Sequence, residues 1–293
     1  MPFVFLKTIK KDNVIKHSIP ALLMASFLTA CSTSPVTTSD APTPSGIVNV
    51  PYKDVIAQPY SEFDETIEYG SDPLQRIYVW KARGKPQHSL VFIHGGCWLN
   101  AFDYTHGQAL FTALAKAGVN VYALEYRRTG DDGGGWPGSF NDVLAGTNKV
   151  LALTQTQQPS VPVSLAGHSA GGHLALLTGQ AMPSAFAKVI GLAAITQPAI
   201  YAKGTNSCET ATPQFFNGTP EEIPEAYKSA TPSIENVQSP VVLLQGTDDN
   251  IVATEQGSLS GATTMLIPGA GHFDFLHADS LAYYTLLDLL KNG

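Results

Sequence analysis

The sequence predicts an α/β domain: a mostly parallel central sheet with helices on both faces. Two observations carry this. From about residue 90 onward, short apolar runs of buried-strand character take turns with segments of helical period. In the middle of that alternation, Val161, Val163 and Leu165 lead into Gly167-His168-Ser169-Ala170-Gly171-Gly172, and Leu174, Ala175, Leu176 and Leu177 follow. This stretch reads as strand, sharp turn, helix. The chain reverses there within a residue or two, so the positions two before and two after Ser169 must lack a Cβ, and Gly167 and Gly171 meet that need.

The first thirty residues stand apart from the fold. Lys7, Lys10, Lys11 and Lys16 precede an uncharged apolar run from Ile19 to Ala30 that is too short to span a bilayer, the build of a secretory signal. It ends Leu28-Thr29-Ala30-Cys31, which resembles the bacterial lipobox, and the resemblance implies cleavage before Cys31 and lipidation of that cysteine. Residues 31–50 are rich in Ser, Thr, Pro, Ala and Gly and are expected to form a flexible tether. A catalytic domain over 51–293 would follow. The implied location is the bacterial cell envelope, with the chain lipid-anchored. Ser32 after the cysteine points, by the same resemblance, to the outer membrane, facing the periplasm or the surface.

The whole chain carries a formal charge of −7, and removing residues 1–30 takes away four lysines and one aspartate, leaving −10. Such a balance argues against nucleic acid or an anionic membrane face as a partner.

Glu65–Tyr69 and Gln75–Trp80 alternate around Gly70-Ser71-Asp72-Pro73, which predicts a hairpin at the sheet edge. Strands are expected at Leu90–Ile93, Val119–Glu125, Val161–Leu165, Val189–Ile195, Val241–Gln245 and Met265–Ile267. Helices are expected at Gln108–Ala117, Ser139–Leu153, Ala170–Ala181 and Ser280–Lys291. In the second helix Phe140, Val143, Leu144, Thr147, Val150 and Leu151 recur at three and four. Residues 196–239 break the alternation with many Pro, Gly, Ser and Thr and scattered aromatics, and are expected to be a lid-like insertion after strand 6.

A serine hydroxyl becomes a useful nucleophile only when a base takes its proton and an acid fixes that base. For Ser169, the base candidate is His272, flanked by Gly271 in a loop after the strand at Met265–Ile267. The acid candidates are Asp248 and Asp249, in the loop after Val241–Gln245. Backbone donors for a developing oxyanion are expected where Leu90–Ile93 ends in His94-Gly95-Gly96-Cys97-Trp98, since two glycines let the main chain approach a carbonyl closely. The N–H groups of Gly96 and Cys97, with that of Ala170, form the expected hole. His94 is expected to order this loop by hydrogen bonding. Trp98, Trp136 and Phe273 adjoin these motifs and are expected to wall an apolar pocket. Asp131–Gly135 reads as a rim or a plain turn. His106, His173 and His277 lack metal-ligand spacing with acidic or cysteine partners. Neither a metal nor a cofactor is expected.

From about 65 to 291 the chain resembles the α/β-hydrolase superfamily. His-Gly-Gly-x-Trp, Glu125-Tyr126-Arg127-Arg128, Gly134-Gly135-Trp136-Pro137-Gly138 and Gly-His-Ser-Ala-Gly-Gly resemble its esterase/lipase branch, related to hormone-sensitive-lipase-like esterases, feruloyl and acetyl esterases and kynurenine formamidases. The family order Ser, Asp, His and the pattern Gly-x-x-Asp-x-x-Val select Asp249 over Asp248. Two departures from the hormone-sensitive-lipase group stand out: Cys97 in place of a third glycine, and His168 in place of aspartate. The resemblance implies a serine hydrolase acting on small to medium uncharged carboxylic esters through an acyl-enzyme. Feruloyl or acetyl ester cleavage on plant polysaccharide, arylformamide cleavage, and a noncatalytic surface-binding role on the same scaffold are the alternatives. Cys97 and Cys208 are the other cysteines of the mature chain. In an oxidising envelope they either pair, pinning the 200s loop beside the site, or stay as buried thiols.

Overall fold

The protein is described by a computed structural model covering residues 46–292. The expected signal segment, Cys31 and the tether as far as residue 45 lie outside the described residues. Eight strands form one sheet: β1 (Glu65–Glu68), β2 (Arg76–Trp80), β3 (His88–Ile93), β4 (Val119–Leu124), β5 (Val163–His168), β6 (Val189–Leu192), β7 (Val241–Gly246) and β8 (Thr263–Ile267). Their order is β1-β2-β4-β3-β5-β6-β7-β8. β1 and β2 pair antiparallel at one edge, β2 lies antiparallel to β4, and every other pairing is parallel.

A strand covered on both faces reads as a near-continuous apolar run rather than an alternation. β3, β4 and β7 are buried throughout. Within β3, Leu90 and Phe92 join one core layer while Val91 and Ile93 join the other. The first layer is closed by α2 (Gln108–Lys116) and α8 (Leu281–Asn292), through Leu110, Leu114, Leu286 and Leu290. The second is closed by α3 (Gly138–Gln157) and α4 (Ala170–Ala181), through Val143, Val150, Leu174 and Leu177. Burying each such side chain contributes about 1.5–3 kcal/mol.

From central β3 the chain runs outward to β4 and then returns to β5, so the strand order reverses beside β3. Crevices outside the carboxyl ends of strands form at such a reversal. Ile93 pairs with Gly167, so the glycine loop after β3 and the serine turn after β5 emerge side by side.

β6 and residues 46–50 differ from expectation. β6 stops at Leu192 because Ala193 turns to φ 46° while its N–H donates to the Leu244 carbonyl. Residues 46–50, expected as the end of the tether, pack onto the body. Ile47 bridges to Ser280, and the N–H groups of Asn49 and Val50 donate to the two carboxylate oxygens of Asp274, at 2.9 Å each. A fully buried carboxylate is costly without donors, and these two residues supply them together with the Gly271 N–H at 3.0 Å. The segment leads into a short helix, α1 (Tyr52–Ile56).

The 196–239 insertion holds three short helices, α5 (Pro198–Tyr201), α6 (Ser207–Phe216) and α7 (Pro224–Ser229). α6 starts with a capping box in which Asn206 Oδ1 accepts from the N–H groups of Cys208 and Glu209 and Glu209 answers to the Asn206 N–H.

Candidate active site

At the end of β5, Ser169 adopts φ 56° and ψ −121°, a conformation that residues with a Cβ seldom hold. The turn survives because its neighbours carry no side chain. A Cβ at Gly171 would overlap the carbonyl oxygens of Ile93 and His94, and one at Gly167 would overlap the Gly171 carbonyl. Gly95 from the adjoining loop packs beneath the serine, where a Cβ would stand 3.1 Å from Ser169 Cβ. α4 starts immediately after the serine, so the Ala170 N–H is a free helix-terminal donor.

His272, after β8, presents Nδ1 to Asp249 Oδ2 at 2.8 Å. The other oxygen, Oδ1, accepts from the N–H groups of Ile251 and Val252, each at 2.8 Å. Asp249 is thereby held with one oxygen satisfied by backbone and the other by the imidazole. The Asp248 carboxylate is exposed and, among the described residues, accepts only from the Thr247 hydroxyl. Ser169 and His272 line one cavity. No hydrogen bond joins Ser169 Oγ to His272 Nε2, a looseness common before substrate binds.

His168 donates Nε2–H to the His272 carbonyl at 2.9 Å, with the two rings 4.6 Å apart. Full burial, reinforced by the neighbouring His272, holds its pKa well below the usual histidine value, so the ring is neutral.

The loop after β3 turns through three left-handed residues, Gly96 (φ 106°), Cys97 (φ 54°) and Trp98 (φ 58°). Among the described residues, the N–H groups of Gly96, Cys97 and Ala170 have no protein acceptor. The Glu125-Tyr126-Arg127-Arg128 run braces this loop. Buried Glu125 accepts from His94 Nε2–H at 3.1 Å and pairs with Arg128 at 2.9 Å. Tyr126 Oη–H donates to the His94 carbonyl at 2.9 Å, and Arg128 donates to the Phe102 carbonyl. Arg127 forks onto Asp142 of α3, at 2.8 and 2.7 Å.

The cavity measures about 310 Å³. Tyr52, Phe102 and Phe273 form an aromatic side, Leu99 and Ile251 an aliphatic one, and among the described residues no Asp, Glu, Lys or Arg lines it. Of the three aromatics expected there, Phe273 is in the wall. Trp98 and Trp136 are outside it: Trp98 is fully buried, stacked on Phe215 of α6 at 4.8 Å, and Trp136 stacks on Phe140 of α3 at 5.5 Å. Large indoles beside the motifs serve the core there. The insertion reaches the cavity through Ser207 and Cys208. The sulfurs of Cys97 and Cys208 are within bonding distance, with their Cα atoms 4.9 Å apart. Asp131–Gly135 is a closed turn, the Gly134 N–H donating to the Asp131 carbonyl and the Asp131 carboxylate accepting from the Arg128 N–H.

Sequence reasoning missed His106, Tyr52 and Phe102 as cavity residues. His106 is kept neutral by burial, its pKa pushed down to about 3. None of the three belongs to a local pattern. His173 ties α4 to Ala230 through a 2.7 Å bond, and His277 Nδ1 accepts from the Asp279 N–H.

This sheet, with a serine turn, an imidazole–carboxylate pair and a glycine loop at its carboxyl edge, defines an α/β-hydrolase. A family model described as BD-FAE matches residues 76–262, more than half of the chain, and the chain belongs to that family. Esterase LipC of Mycobacterium tuberculosis is 26% identical over 240 residues, covering 71% of this chain and 59% of LipC, so this chain spans less than two thirds of that relative's length. Kynurenine formamidase of Meyerozyma guilliermondii is 23% identical over 230 residues, covering 74% of this chain and 82% of the relative. The crystal structure of esterase B from Lactobacillus Rhamnosis superposes with a TM-score of 0.64 at 19% identity, covering 82% of this chain and 88% of that one.

Proposed function

We propose that this protein is a serine esterase cleaving small to medium uncharged carboxylic esters through an acyl-enzyme. The observation that carries the reading is the convergence on one uncharged, mainly apolar cavity of Ser169, the Asp249-supported His272, and Gly96 and Cys97 with their unsatisfied N–H groups, the Ala170 N–H standing next to Ser169 in the chain. In acylation, Ser169 Oγ attacks the ester carbonyl carbon while His272 Nε2 takes its proton. Asp249 accepts from Nδ1–H and so keeps the proton off Nε2 beforehand. The carbonyl oxygen, now an anion, is received by the N–H groups of Gly96, Cys97 and Ala170, and the helix terminus at Ala170 adds favourable field. The imidazolium returns its proton to the departing alkoxide, which leaves as the alcohol. Water, deprotonated by the same imidazole, then releases the acid and regenerates the serine.

A cavity near the lower end of the usual ligand-site range favours modest substrates, and its lack of charged walls favours uncharged ones. The name of the LipC relative supports ester chemistry and that of the formamidase relative supports the arylformamide alternative, which relative rates separate. A rate panel tests the reading: p-nitrophenyl acetate, butyrate and octanoate against methyl ferulate and N-formylkynurenine, each with and without a serine-directed phosphonate. Turnover of the short p-nitrophenyl esters, abolished by the phosphonate, is expected. Absence of turnover on all five would leave the noncatalytic reading standing and overturn this one.

We further propose an envelope location with Cys31 as the lipid anchor, supported by the lysine-flanked apolar run and Leu28-Thr29-Ala30-Cys31. Expressed with its leader, the chain should take up radiolabelled palmitate, and Cys31→Ser should not.

A further inference from the structure

We infer that Cys208 is a positioning residue for the oxyanion site: bonded to Cys97, it holds that residue's N–H toward the cavity and couples the oxyanion loop to the loop that carries Asp249. The inference rests on the function proposed above and deepens it.

Cys97 and Trp98 both have side chains and both stand at left-handed φ, 54° and 58°. A Cβ in that region crowds the backbone, so an unrestrained residue there relaxes toward negative φ, and the relaxation swings its N–H. Neighbouring residues of the loop are gripped by backbone hydrogen bonds. Leu99 N–H donates to Gly96 at 2.9 Å, Thr129 N–H to Trp98 at 2.8 Å, and Asn100 N–H to Thr129 at 3.1 Å. Cys97 is the exception: among the described residues neither its N–H nor its carbonyl has a partner. Its attachment is its sulfur, which meets Cys208 across 111 residues of chain.

The far end of the link is firmly seated. Cys208 is the second residue of α6, and its N–H donates to Asn206 Oδ1 at 3.0 Å. Asn206 Nδ2–H in turn donates to the Ile251 carbonyl at 2.9 Å, and the Ile251 N–H is one of the two backbone groups that fix Asp249. The first turn of α6 therefore braces two loops at once, one bearing an oxyanion donor and one bearing the carboxylate behind His272. Without the bond, Asn206 still serves the acid loop while Cys97 is released.

The test uses the full chain and p-nitrophenyl butyrate. Cys208→Ala is expected to lower kcat roughly five- to thirtyfold, the range set by one side chain's preference against left-handed backbone, with KM within twofold. Adding Cys97→Gly should raise kcat above that of Cys208→Ala alone, because glycine takes φ near +54° freely and keeps the N–H. Dithiothreitol should reproduce the fall in the wild type. It gives two electrons and two protons, splits the bond into two thiols and closes to its own disulfide, and reoxidation should reverse the loss. This arm serves if Cys208→Ala fails to fold. Unchanged kcat in Cys208→Ala, a double variant no better than the single one, or free thiols mapped to both Cys97 and Cys208 in the untreated protein would each overturn the inference. Ser169→Ala runs beside them as the control for the parent reading: turnover there sinks the proposed function itself, whereas an inert Ser169→Ala with a fully active Cys208→Ala sinks only this inference.

Discussion

Asp249→Asn keeps the shape of the side chain and removes its charge. Oδ1 can still accept from Ile251 and Val252, at 2.8 Å each, so the loop should stay in place. The amide nitrogen, however, takes the position of Oδ2, which now accepts from His272 Nδ1–H at 2.8 Å. Two donors cannot face each other, so the imidazole must switch its proton to Nε2, the nitrogen needed to receive the serine proton. An asparagine in this place lowers kcat about ten-thousandfold in a serine triad, equivalent to about 5.5 kcal/mol of barrier. Asp249→Ala should add a stability loss, because the buried Val252 N–H and the half-buried Ile251 N–H lose their acceptor, at about 1–3 kcal/mol for the buried group, lowering Tm by at least about 2 °C. Asp248→Asn, on an exposed side chain that among the described residues accepts only from the Thr247 hydroxyl, should leave kcat within twofold. Initial rates on p-nitrophenyl butyrate, with thermal melts of the same preparations, read all three. Loss of turnover in Asp248→Asn with turnover retained in Asp249→Asn would refute the assignment.

Gly171→Ala forces a methyl into the Ile93 and His94 carbonyls, backbone groups that cannot step aside. Overpacking of this kind costs about 1–3 kcal/mol, so Tm should fall by about 2–12 °C and an unchanged melt would contradict the packing argument. Acid should destabilise the fold through its buried histidines. Burial lowers the pKa of His88 and of His173 to about 4 from the ordinary 6.5. Between those values the unfolded chain binds protons that the folded chain refuses, so stability is full above about pH 6.5 and declines as pH drops toward 4. His173→Gln, which can still donate to the Ala230 carbonyl, should flatten the decline by up to about 3 kcal/mol across that window. Urea midpoints measured from pH 7.5 to 4.5 decide it, and parallel curves for variant and wild type would rule out His173 as a source.

Strand and helix order was legible because both-face burial writes β3, β4 and β7 as mostly apolar runs, broken by His88, Ser89, Asn120 and Gln245, and α3 repeats at three and four. Edges were harder. The strand expected from Val161 begins at Val163, since Pro162 has no N–H for the ladder and contributes only its carbonyl, to the Ser89 N–H. α3 runs on to Gln157 through polar residues that show no apolar period. The start of α6 was written in Asn206-x-x-Glu209, a capping box hidden within a polar stretch. Ser169, His272 and the glycine loop could be read because each occupies a short pattern at a strand end. Choosing Asp249 over Asp248 needed resemblance, since both are acids in one loop, and what distinguishes them, burial, the Ile251 and Val252 amides and the contact to His272, exists only in the folded chain. The cavity wall was illegible: Tyr52, Phe102 and Ile251 come from distant segments, and no periodicity links them. The docking of residues 49 and 50 on Asp274 is likewise a long-range exchange of donors for a buried charge, invisible in composition.

Covalent capture by a fluorophosphonate tests the central claim most directly, since it demands nucleophile, base and oxyanion donors together and identifies the atom attacked. Intact-mass and peptide analysis should find one adduct per chain on the peptide containing Ser169, with ester turnover lost in proportion to labelling. Full labelling at another residue, or turnover that persists with Ser169 fully modified, would contradict it.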